Sequence, residues 1–384
     1  MNAHKIIRQK QLANRRQDKI SQRKHLNFDA LITTIREDFG KIADHRAGNA
    51  SISLVDALAS GFAMFSLKHS SLLALDGIGI YSSEKVGSPY CLKNASVMGR
   101  WNATSRCWGA AIVHPDQREV IPLCPEMIVQ QDGSKKQDCE RKAARRFLAD
   151  FRREHPHLKC VVIEDGLSSN APHIEDLRQD GHHFILGARP GDHGHLFEQT
   201  DEAFNGGQAE EFSRADENRQ DILHTYRFVN DLALNKSNPD VRVNLLEYWQ
   251  LDGKGKVIAF SWVTDLEITA ANVYQIMRAG RARWRIENET FNTLKNQGYN
   301  LDHNYGLGKK HLSAVFVYLT VLAFLVDQVQ QLCCPLFREA LVFRKRKRRL
   351  WSGIRSRFEL LDCPSMEAIL LHMVGRGKPL RQLE

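Results

Sequence analysis

Three acidic residues stand out because each one lies on an otherwise apolar element of the predicted structure. Asp76 interrupts the apolar run 72–81, Asp165 follows the apolar run 158–163, and Glu287 falls on the apolar face of a predicted helix. A carboxylate among apolar side chains is costly unless it pairs with a cation or binds a metal ion. For either aspartate alone, a turn or capping role would be the simpler explanation. The order Asp, Asp, Glu on strand, strand and helix is more specific.

The chemistry available to these residues is that of a metal site. Three clustered carboxylates raise one another's pKa unless a cation lies among them. Oxygen-only ligands favour Mg²⁺ or Mn²⁺ over zinc. Two such ions can activate water or a 3′ hydroxyl and stabilise the leaving oxygen of an in-line phosphodiester displacement. We therefore predict that Asp76, Asp165 and Glu287 are metal ligands and catalytic residues, with Mg²⁺ or Mn²⁺ as cofactor.

The segment 281–297 should position Glu287. It contains no proline, and Gly298 is placed to follow the end of a helix. At 3.6 residues per turn, one stripe that we expect to face the core contains Trp284, Glu287, Phe291 and Leu294. Arg283 lies one turn before Glu287, so an ordinary surface ion pair between the two is the alternative to a metal ligand.

Other candidate ligands rank lower. Glu289 is a rival for the third position, but it lies about 200° around the helix from Glu287. The pairs His182–His183 and His193–His195 could suggest zinc, yet histidines in polar loops are usually solvated, and we expect that here.

Composition limits the class of protein. The chain has 384 residues, enough for two or three structural units, and its apolar content of 42% and charged content of 26% are those of a soluble globular protein. A net charge of +9 and a pI near 9.1 favour nucleic acid as partner, with an anionic membrane surface second.

The eight cysteines form no CxxC pair, which predicts reduced, mostly buried thiols. We find no signal peptide, and the apolar run 312–326 predicts a core helix, so we expect a cytoplasmic protein without a membrane partner.

The order of predicted elements indicates an α/β fold with an RNase H-like core. A hairpin (109–123), a helix (138–154), a strand (158–163), a helix (172–179) and a strand (184–188) follow one another. Residues 94–108 give no clear strand pattern, and 191–222 look like loop or irregular helix. The predicted domains are a helical DNA-binding segment (1–66), the first part of the core (67–190), a β-rich insertion (191–266), the helical second part of the core (267–332) and a basic tail (333–384).

Two basic segments are candidates for DNA contact. Residues 1–25 form a basic arm, for which a solvated tail is an equal alternative. A second run next to Trp351 favours contact with a phosphate backbone over a solvated surface. It consists of Arg344, Lys345, Arg346, Lys347, Arg348 and Arg349. Trp249 and Trp262 are predicted to pack inside the β-rich region, with base stacking as the lesser alternative.

These residues carry a resemblance to a known family. Arg283-Trp284-Arg285-Ile286-Glu287 fits the R-x3-E part of a Y-x2-R-x3-E-x6-K signature. The segments 161–166 and 184–187 look like the strand of the second aspartate and the strand after it, and Leu75-Asp76-Gly77 looks like that of the first. Over about residues 50–340, the chain resembles the DDE transposases of bacterial insertion sequences.

The resemblance implies a retroviral-integrase-like core with a β-rich insertion and helical flanks. It implies Mg²⁺-dependent cleavage and strand transfer by a homodimer bound to double-stranded DNA, at terminal inverted repeats and at a target, in association with a bacterial nucleoid. It also assigns Arg283 and Lys295 to the catalytic site, Lys295 as a phosphate-binding residue.

The chain departs from the family pattern at three points. Gly280 stands at the position of the signature tyrosine, and seven residues rather than six separate Glu287 from Lys295. The segment before Asp76 is also short for the family. A second hypothesis therefore stays open, an inactive or truncated transposase that only binds DNA. A third is a metal-dependent nuclease without strand transfer.

Overall fold

The computed structural model describes residues 24–46, 50, 52–67, 81–83, 91–95, 101–128, 136–216, 219–301, 311–377 and 379–382. Asp76 and the predicted strand around it lie outside these residues, as does nearly all of the basic arm 1–25.

The described residues form helices and strands along the whole chain. The strands are β1 (Tyr81–Ser83), β2 (Cys91–Ala95), β3 (Trp101–Trp108), β4 (Ala111–His114), β5 (Gln117–Pro122), β6 (Glu126–Ile128), β7 (Val161–Glu164), β8 (His183–Gly187), β9 (Glu210–Ala215), β10 (Leu223–Asn235), β11 (Asn238–Leu251) and β12 (Val257–Thr264). The α-helices are α1 (Phe28–Gly40), α2 (Leu54–Ser66), α3 (Lys136–Glu154), α4 (Ala171–Gln179), α5 (Gly194–Asn205), α6 (Val273–Ala282), α7 (Asn292–Asn296), α8 (Leu312–Cys333), α9 (Pro335–Arg344), α10 (Lys347–Leu360) and α11 (Met366–Met373).

The described residues divide into two compact units. Residues up to Ile112, 119–130 and those from Ile286 onward belong to the first unit, and 113–118 and 131–285 belong to the second. The domain boundaries predicted from the sequence stay predictions.

The second unit is built on a six-stranded mixed sheet in the order β7-β8-β12-β11-β10-β9. β7 and β8 are parallel and joined by α4, while the other neighbours are antiparallel. The turn between β11 and β12 is held by hydrogen bonds to Asp252. The Asp252 carboxylate accepts the backbone N–H groups of Lys254 and Lys256, and Gly255 has a φ of 78°.

Apolar side chains cover both faces of this sheet. One cluster joins the sheet to helices α3, α4 and α5 through residues such as Leu148, Ile174, Leu186, Leu196 and Val263. A second cluster joins the other face to α6 and contains Tyr226, Tyr248, Trp262, Ile276 and Met277. Trp262 is thus a packing residue, as predicted.

Two segments predicted as irregular are regular in the structure. Residues 191–222 contain α5 and β9, because Leu196, Phe197, Thr200 and Ala203 form one buried helical face. Residues 94–108 contain the eight-residue strand β3, which pairs with β1, β2 and β6. Strand formation there rests on pairing with three other strands, which the β-propensity of the segment alone does not reveal. Within the segment 1–66 that was predicted to be helical, α1 ends at Gly40 and α2 begins at Leu54.

The first unit contains the long apolar helix α8. By length and composition α8 could cross a membrane, but 56% of its most apolar window is buried inside the protein. It packs so closely on α2 that a Cβ on Gly61 would lie 2.8 Å from Leu319 Cδ1. The buried amide Oε1 of Gln328 on α8 also accepts the Val120 N–H, at 3.1 Å. These contacts support the predicted core helix, which runs beyond the predicted end at 326.

Helices from both ends of the chain pack together in the first unit. Helices α9, α10 and α11 enclose an apolar cluster that includes Phe337, Leu350 and Trp351, and Phe28 of α1 packs against it. The Asp29 carboxylate accepts the backbone N–H groups of Met366 (2.9 Å) and Glu367 (3.1 Å) at the start of α11. A side chain from α1 therefore caps the last helix.

Six of the cysteines are free thiols in the structure, consistent with the predicted reduced state. Five of these six are half-buried and Cys124 is exposed, so they are less buried than predicted. Desolvation raises the pKa of the Cys107 thiol to about 12, which disfavours the reactive thiolate form at neutral pH.

Candidate active site

Asp165 lies directly after β7, at the carboxyl end of two parallel strands. Its Oδ1 accepts the Leu167 N–H at 3.1 Å and so caps the short 3₁₀ turn Gly166–Ser168. The side chain is exposed, and in the described part of the chain this carboxylate accepts no other hydrogen bond. A capping role and an accessible carboxylate oxygen are thus combined in one residue.

The turn at Asp165 approaches β8 very closely. A Cβ on Gly187 would lie 3.0 Å from Gly166 N and 3.3 Å from the carbonyl carbon of Asp165. In the same region the Ser169 hydroxyl donates to the Gly187 carbonyl. The His193 ring links Ser169 to Arg189: Nε2–H donates to the Ser169 carbonyl (2.9 Å), and Nδ1 accepts the Arg189 N–H (3.4 Å). The backbone that carries Asp165 is therefore fixed on β8.

A cleft of about 420 Å³ opens beside Asp165 in the second unit. It combines three arginines with several aromatic rings, which is the composition expected of a site for a nucleic-acid strand. Its lining includes Asp165, Arg189, Arg281, Arg283, Trp249, Phe260, Trp262 and Trp284. The structure therefore brings together two of the predicted catalytic residues, Asp165 and Arg283.

Glu164 also lines this cleft, and its partner is the buried His173 of α4. His173 Nε2 is hydrogen-bonded to Glu164 Oε2, and both side chains are about nine-tenths buried. Burial acts to lower the pKa of His173, but the hydrogen bond and charge of Glu164 outweigh it, so the pKa is raised above its ordinary value. Sequence reasoning missed this pair. The only signal was a second acid directly before Asp165.

A second buried acid of the cleft, Glu247, is held by a cation. Arg227 stands opposite Glu247 in the β10–β11 register, and its Nε donates to Glu247 Oε2 at 2.6 Å. The same guanidinium contacts Asp201 at 3.0 Å and lies over the Trp249 ring. Burial raises the pKa of Glu247, and the charge and hydrogen bond of Arg227 oppose that shift. Because its charge is matched inside the protein, Glu247 acts as a structural element of the cleft wall.

The Gly280 position, where the family signature has tyrosine, is occupied from the opposite side by Trp262. A Cβ on Gly280 would lie 2.6 Å from both Nε1 and Cε2 of the Trp262 indole. No side chain larger than hydrogen fits at position 280 while the indole stays in place.

Glu287 lies on a π-helical turn, Ile286–Phe291, that the sequence did not reveal. The wider turn shifts the angular positions of the residues after it, so the predicted stripe at 3.6 residues per turn is wrong. Trp284, predicted to face the core, is 51% exposed. Glu287 and its rival Glu289 are both half-buried, while Thr290, Thr293 and Leu294 are buried. Gly298, with a φ of 100°, follows the helix as predicted.

The three predicted metal ligands are placed differently by the structure. Asp165 belongs to the second unit, Glu287 and the half-buried Lys295 belong to the first, and Asp76 lies outside the described residues. Their convergence stays a prediction. Asp165 offers an accessible carboxylate oxygen at the cleft, as such a role requires. Within the described residues, no group of three His, Cys, Asp or Glu side chains is close enough to hold a metal ion.

Two of the four histidines expected to be solvated are buried. His182 is 2% exposed and contacts Arg152 Nη2 and Cys160 Sγ, while His193 forms the backbone bridge described above. Burial lowers the pKa of His182, and Arg152 adds to the effect. His183 is exposed and pairs with Asp265 at 2.8 Å. All four histidines thus lie apart from any group of metal ligands in the part of the chain that the structure describes.

The basic run 344–349 forms the turn between α9 and α10. Lys345 has a left-handed backbone (φ 62°), and Arg346 is the N-cap of α10 without a capping side-chain hydrogen bond. The first turn of α10 contains no acid. Lys345, Arg346, Arg348 and Arg349 are exposed, and Arg344 and Lys347 are half-buried.

Comparison with known protein families matches residues 121–325, more than half of the chain, to the transposase DDE domain. The chain belongs to this family. No curated protein matches the sequence. Membership establishes the RNase H-like α/β fold, to which the six-stranded mixed sheet with helical flanks corresponds, and it identifies the chain as a DDE-type transposase with DNA as its substrate. Enzymes of this family generally use divalent metal ions.

Proposed function

We propose that this transposase cuts and transfers DNA strands at the ends of a bacterial insertion sequence, acting as a homodimer on double-stranded DNA. The observation that carries the proposal is the position of Asp165. Its carboxylate stands accessible at the carboxyl end of two parallel strands, on a cleft that also contains Arg283 and two further arginines. The three arginines would neutralise the negative charge of a phosphodiester bound next to this carboxylate.

In this proposal Asp76, Asp165 and Glu287 hold Mg²⁺ or Mn²⁺. The ion would supply activation of the attacking hydroxyl and stabilisation of the leaving oxygen. The chain's own residues do the rest. Arg283, and Lys295 with it, neutralise phosphate charge, while the 3₁₀ turn at Asp165 keeps that carboxylate in one orientation. Contacts from residues 344–349 to the phosphate backbone position the duplex.

The alternative is a protein that binds DNA without cutting it. One of the reasons for it, Gly280 at the signature tyrosine position, has a structural explanation in the packing of Trp262. A metal-dependent nuclease without strand transfer is the other alternative. It differs in the fate of the cut 3′ end, so the products of the reaction separate it from a transposase.

The test is cleavage and joining of the element's own terminal DNA with Mg²⁺ or Mn²⁺. We expect Asp165→Asn and Glu287→Gln to lose both reactions while DNA binding is kept or improved, because removal of a negative charge favours a polyanion. Asp240→Asn and Glu359→Gln make the same chemical changes at exposed positions outside the cleft and should leave activity intact. If the unmutated protein binds the ends but never cuts them, the binding-only alternative replaces the proposal. Cutting without joining would favour the nuclease.

A further inference from the structure

Arg281 is one of the two further arginines of the cleft, and the proposal above gives it no individual contact. It lies in the last turn of α6, and its guanidinium is placed over the rings of Phe260 (5.4 Å) and Tyr248 (5.9 Å). Its Nη1 donates to Gln250 Oε1 at 2.9 Å. The same Nη1 also donates to the Tyr248 hydroxyl at 3.5 Å. Two aromatic rings and two hydrogen bonds thus hold the guanidinium at the cleft wall.

The partners of Arg281 are all neutral. Neighbouring arginines differ in this respect: Arg278, one turn earlier, pairs with Asp116, and Arg227 pairs with Glu247 and Asp201. Over the described ranges, no carboxylate lies within ion-pair distance of Arg281. A guanidinium keeps its charge at any physiological pH. Since no carboxylate of the described residues pairs with this half-buried cation, an anion that enters the cleft would match its charge.

A chain of hydrogen-bonded polar groups supports the residues that hold Arg281. The Tyr248 hydroxyl contacts Gln250 Oε1 at 3.1 Å and His224 Nδ1 at 2.7 Å, and His224 Nε2 contacts Asp216 at 3.0 Å. Tyr248 and His224 are both buried, on the paired strands β11 and β10. This second layer limits the movement of Gln250 and the Tyr248 ring, and it pre-organises the guanidinium.

We propose that Arg281 contacts a phosphate group of the DNA strand that lies in the cleft beside Asp165. The inference rests on the proposed function for the identity of the ligand. Among the described residues, the hydrogen bonds of the guanidinium all come from Nη1, so its other N–H donors can reach two oxygens of one phosphate. Gln250 and Tyr248 are positioning residues, since they act through Arg281.

The test is a double-mutant cycle between Arg281 and single phosphates of terminal DNA. Each phosphate near the cut site is replaced in turn by an uncharged methylphosphonate, and binding is measured for the unmutated protein and for Arg281→Gln. We expect one phosphate whose neutralisation weakens binding of the unmutated protein about tenfold and has little further effect on Arg281→Gln. For Arg281→Gln, the slope of log K against log salt should also be smaller by about 0.9 than for the unmutated protein.

Arg278→Gln is the matched control, because it removes the same charge from the same helix outside the cleft. In Arg278→Gln, neutralising the phosphate that Arg281 contacts should weaken binding as much as it does in the unmutated protein. Arg281→Met, whose unbranched chain can cover the two rings, replaces the Gln variant if that one does not fold. Additivity at every phosphate tested, together with an unchanged salt slope, would overturn the inference. This outcome is distinct from failure of the proposed function, since the binding cycle needs no cleavage, and Asp165→Asn reports on cleavage separately.

Discussion

The Trp262 indole lies where a side chain on Gly280 would have to be, with a separation of only 2.6 Å from an added Cβ. Trp262 is on β12 and Gly280 is on α6, so the contact joins the sheet to the helix that carries Arg281. The absence of the signature tyrosine is therefore a consequence of how this chain packs its sheet on its helix. It does not by itself indicate a decayed enzyme.

Gly280→Ala should destabilise the protein. In an open helical position this change is stabilising by up to about 1 kcal/mol, because alanine favours the helix. At position 280 the added methyl would overlap a buried indole, and we expect a net loss of about 1–3 kcal/mol. Urea unfolding measures the change in the free energy of unfolding. A decrease indicates overlap with the indole, and an increase indicates the helix preference of alanine.

Gly194→Ala is the control for this prediction. Gly194 begins α5 in the same unit, and a Cβ there meets no atom within 4 Å. That variant should be as stable as the unmutated protein or slightly more so. If Gly280→Ala behaves in the same way, the packing explanation of Gly280 is wrong.

The Glu164–His173 pair should make stability depend on pH. The folded pKa of His173 is raised above its ordinary value of 6.5, mainly by Glu164 against the opposing effect of burial, with Asp176 raising it and Arg145 lowering it to smaller extents. Protonated His173 thus stabilises the fold. That contribution is complete below about pH 6.5 and is lost as pH rises through the raised folded pKa.

The measurement compares the free energy of unfolding of the unmutated protein and of His173→Gln between pH 5.5 and 8.5. We expect the variant to lose more stability at low pH than at high pH. Glu164→Gln should remove most of this pH dependence, because it removes the charge that raises the pKa of His173. A difference that grows toward high pH would contradict the assignment.

The contact from Asp29 to the start of α11 should contribute to stability. Asp29→Ala leaves the Met366 and Glu367 N–H groups without their acceptor, and we expect a cost of about 1–2 kcal/mol. Asp38→Ala removes an exposed acid of the same helix that pairs with Lys41, and it should cost less than about 0.5 kcal/mol. Equal effects of the two substitutions, measured by urea unfolding, would show that the cap contributes nothing specific.

The sequence predicted the parts of the site that depend on local pattern. Asp165 was recognisable because an apolar strand ends directly before it, and Arg283 because it belongs to a short signature. The structure places both on one cleft. The π-helical turn at Glu287 was beyond local reasoning, because the same residues suit an ordinary α-helix equally well.

The groups that surround Asp165 were not predictable for a different reason. His173 meets Glu164 across the β7–α4 connection, and Arg281 meets Gln250 across 31 positions of sequence. Strand β3 likewise depends on β1, β2 and β6 for its hydrogen bonds. Each of these features depends on how separate elements pair or pack, and a single sequence does not contain that information in readable form.

The turn between α9 and α10 should bind phosphates without reading bases. Arg346, Arg348 and Arg349 are exposed at the N-terminal end of α10, where the helix dipole is positive and the first turn holds no acid. The arginine charges repel one another and the positive end of the helix. An approaching anion, such as a DNA phosphate, relieves this repulsion. Replacing the three arginines by glutamine should weaken binding to all DNA sequences alike. The slope of log K against log salt should fall by about 0.9 for each phosphate that the variant no longer neutralises. Lys345 is not replaced, because its backbone is left-handed and a substitution there could change the strain of the turn as well as the charge.

The matched control replaces three other exposed cations, Lys236, Lys254 and Lys256, by glutamine. It changes the net charge by the same amount at the hairpin turns of the second unit, and it should leave the slope nearly unchanged. Equal effects of the two variants would mean that net charge alone determines binding, so the α9–α10 turn would have no special role. A loss confined to terminal DNA, with binding to random DNA intact, would mean that these arginines read sequence. The titration is carried out on both DNAs at several salt concentrations, because an affinity at one salt concentration does not separate these outcomes.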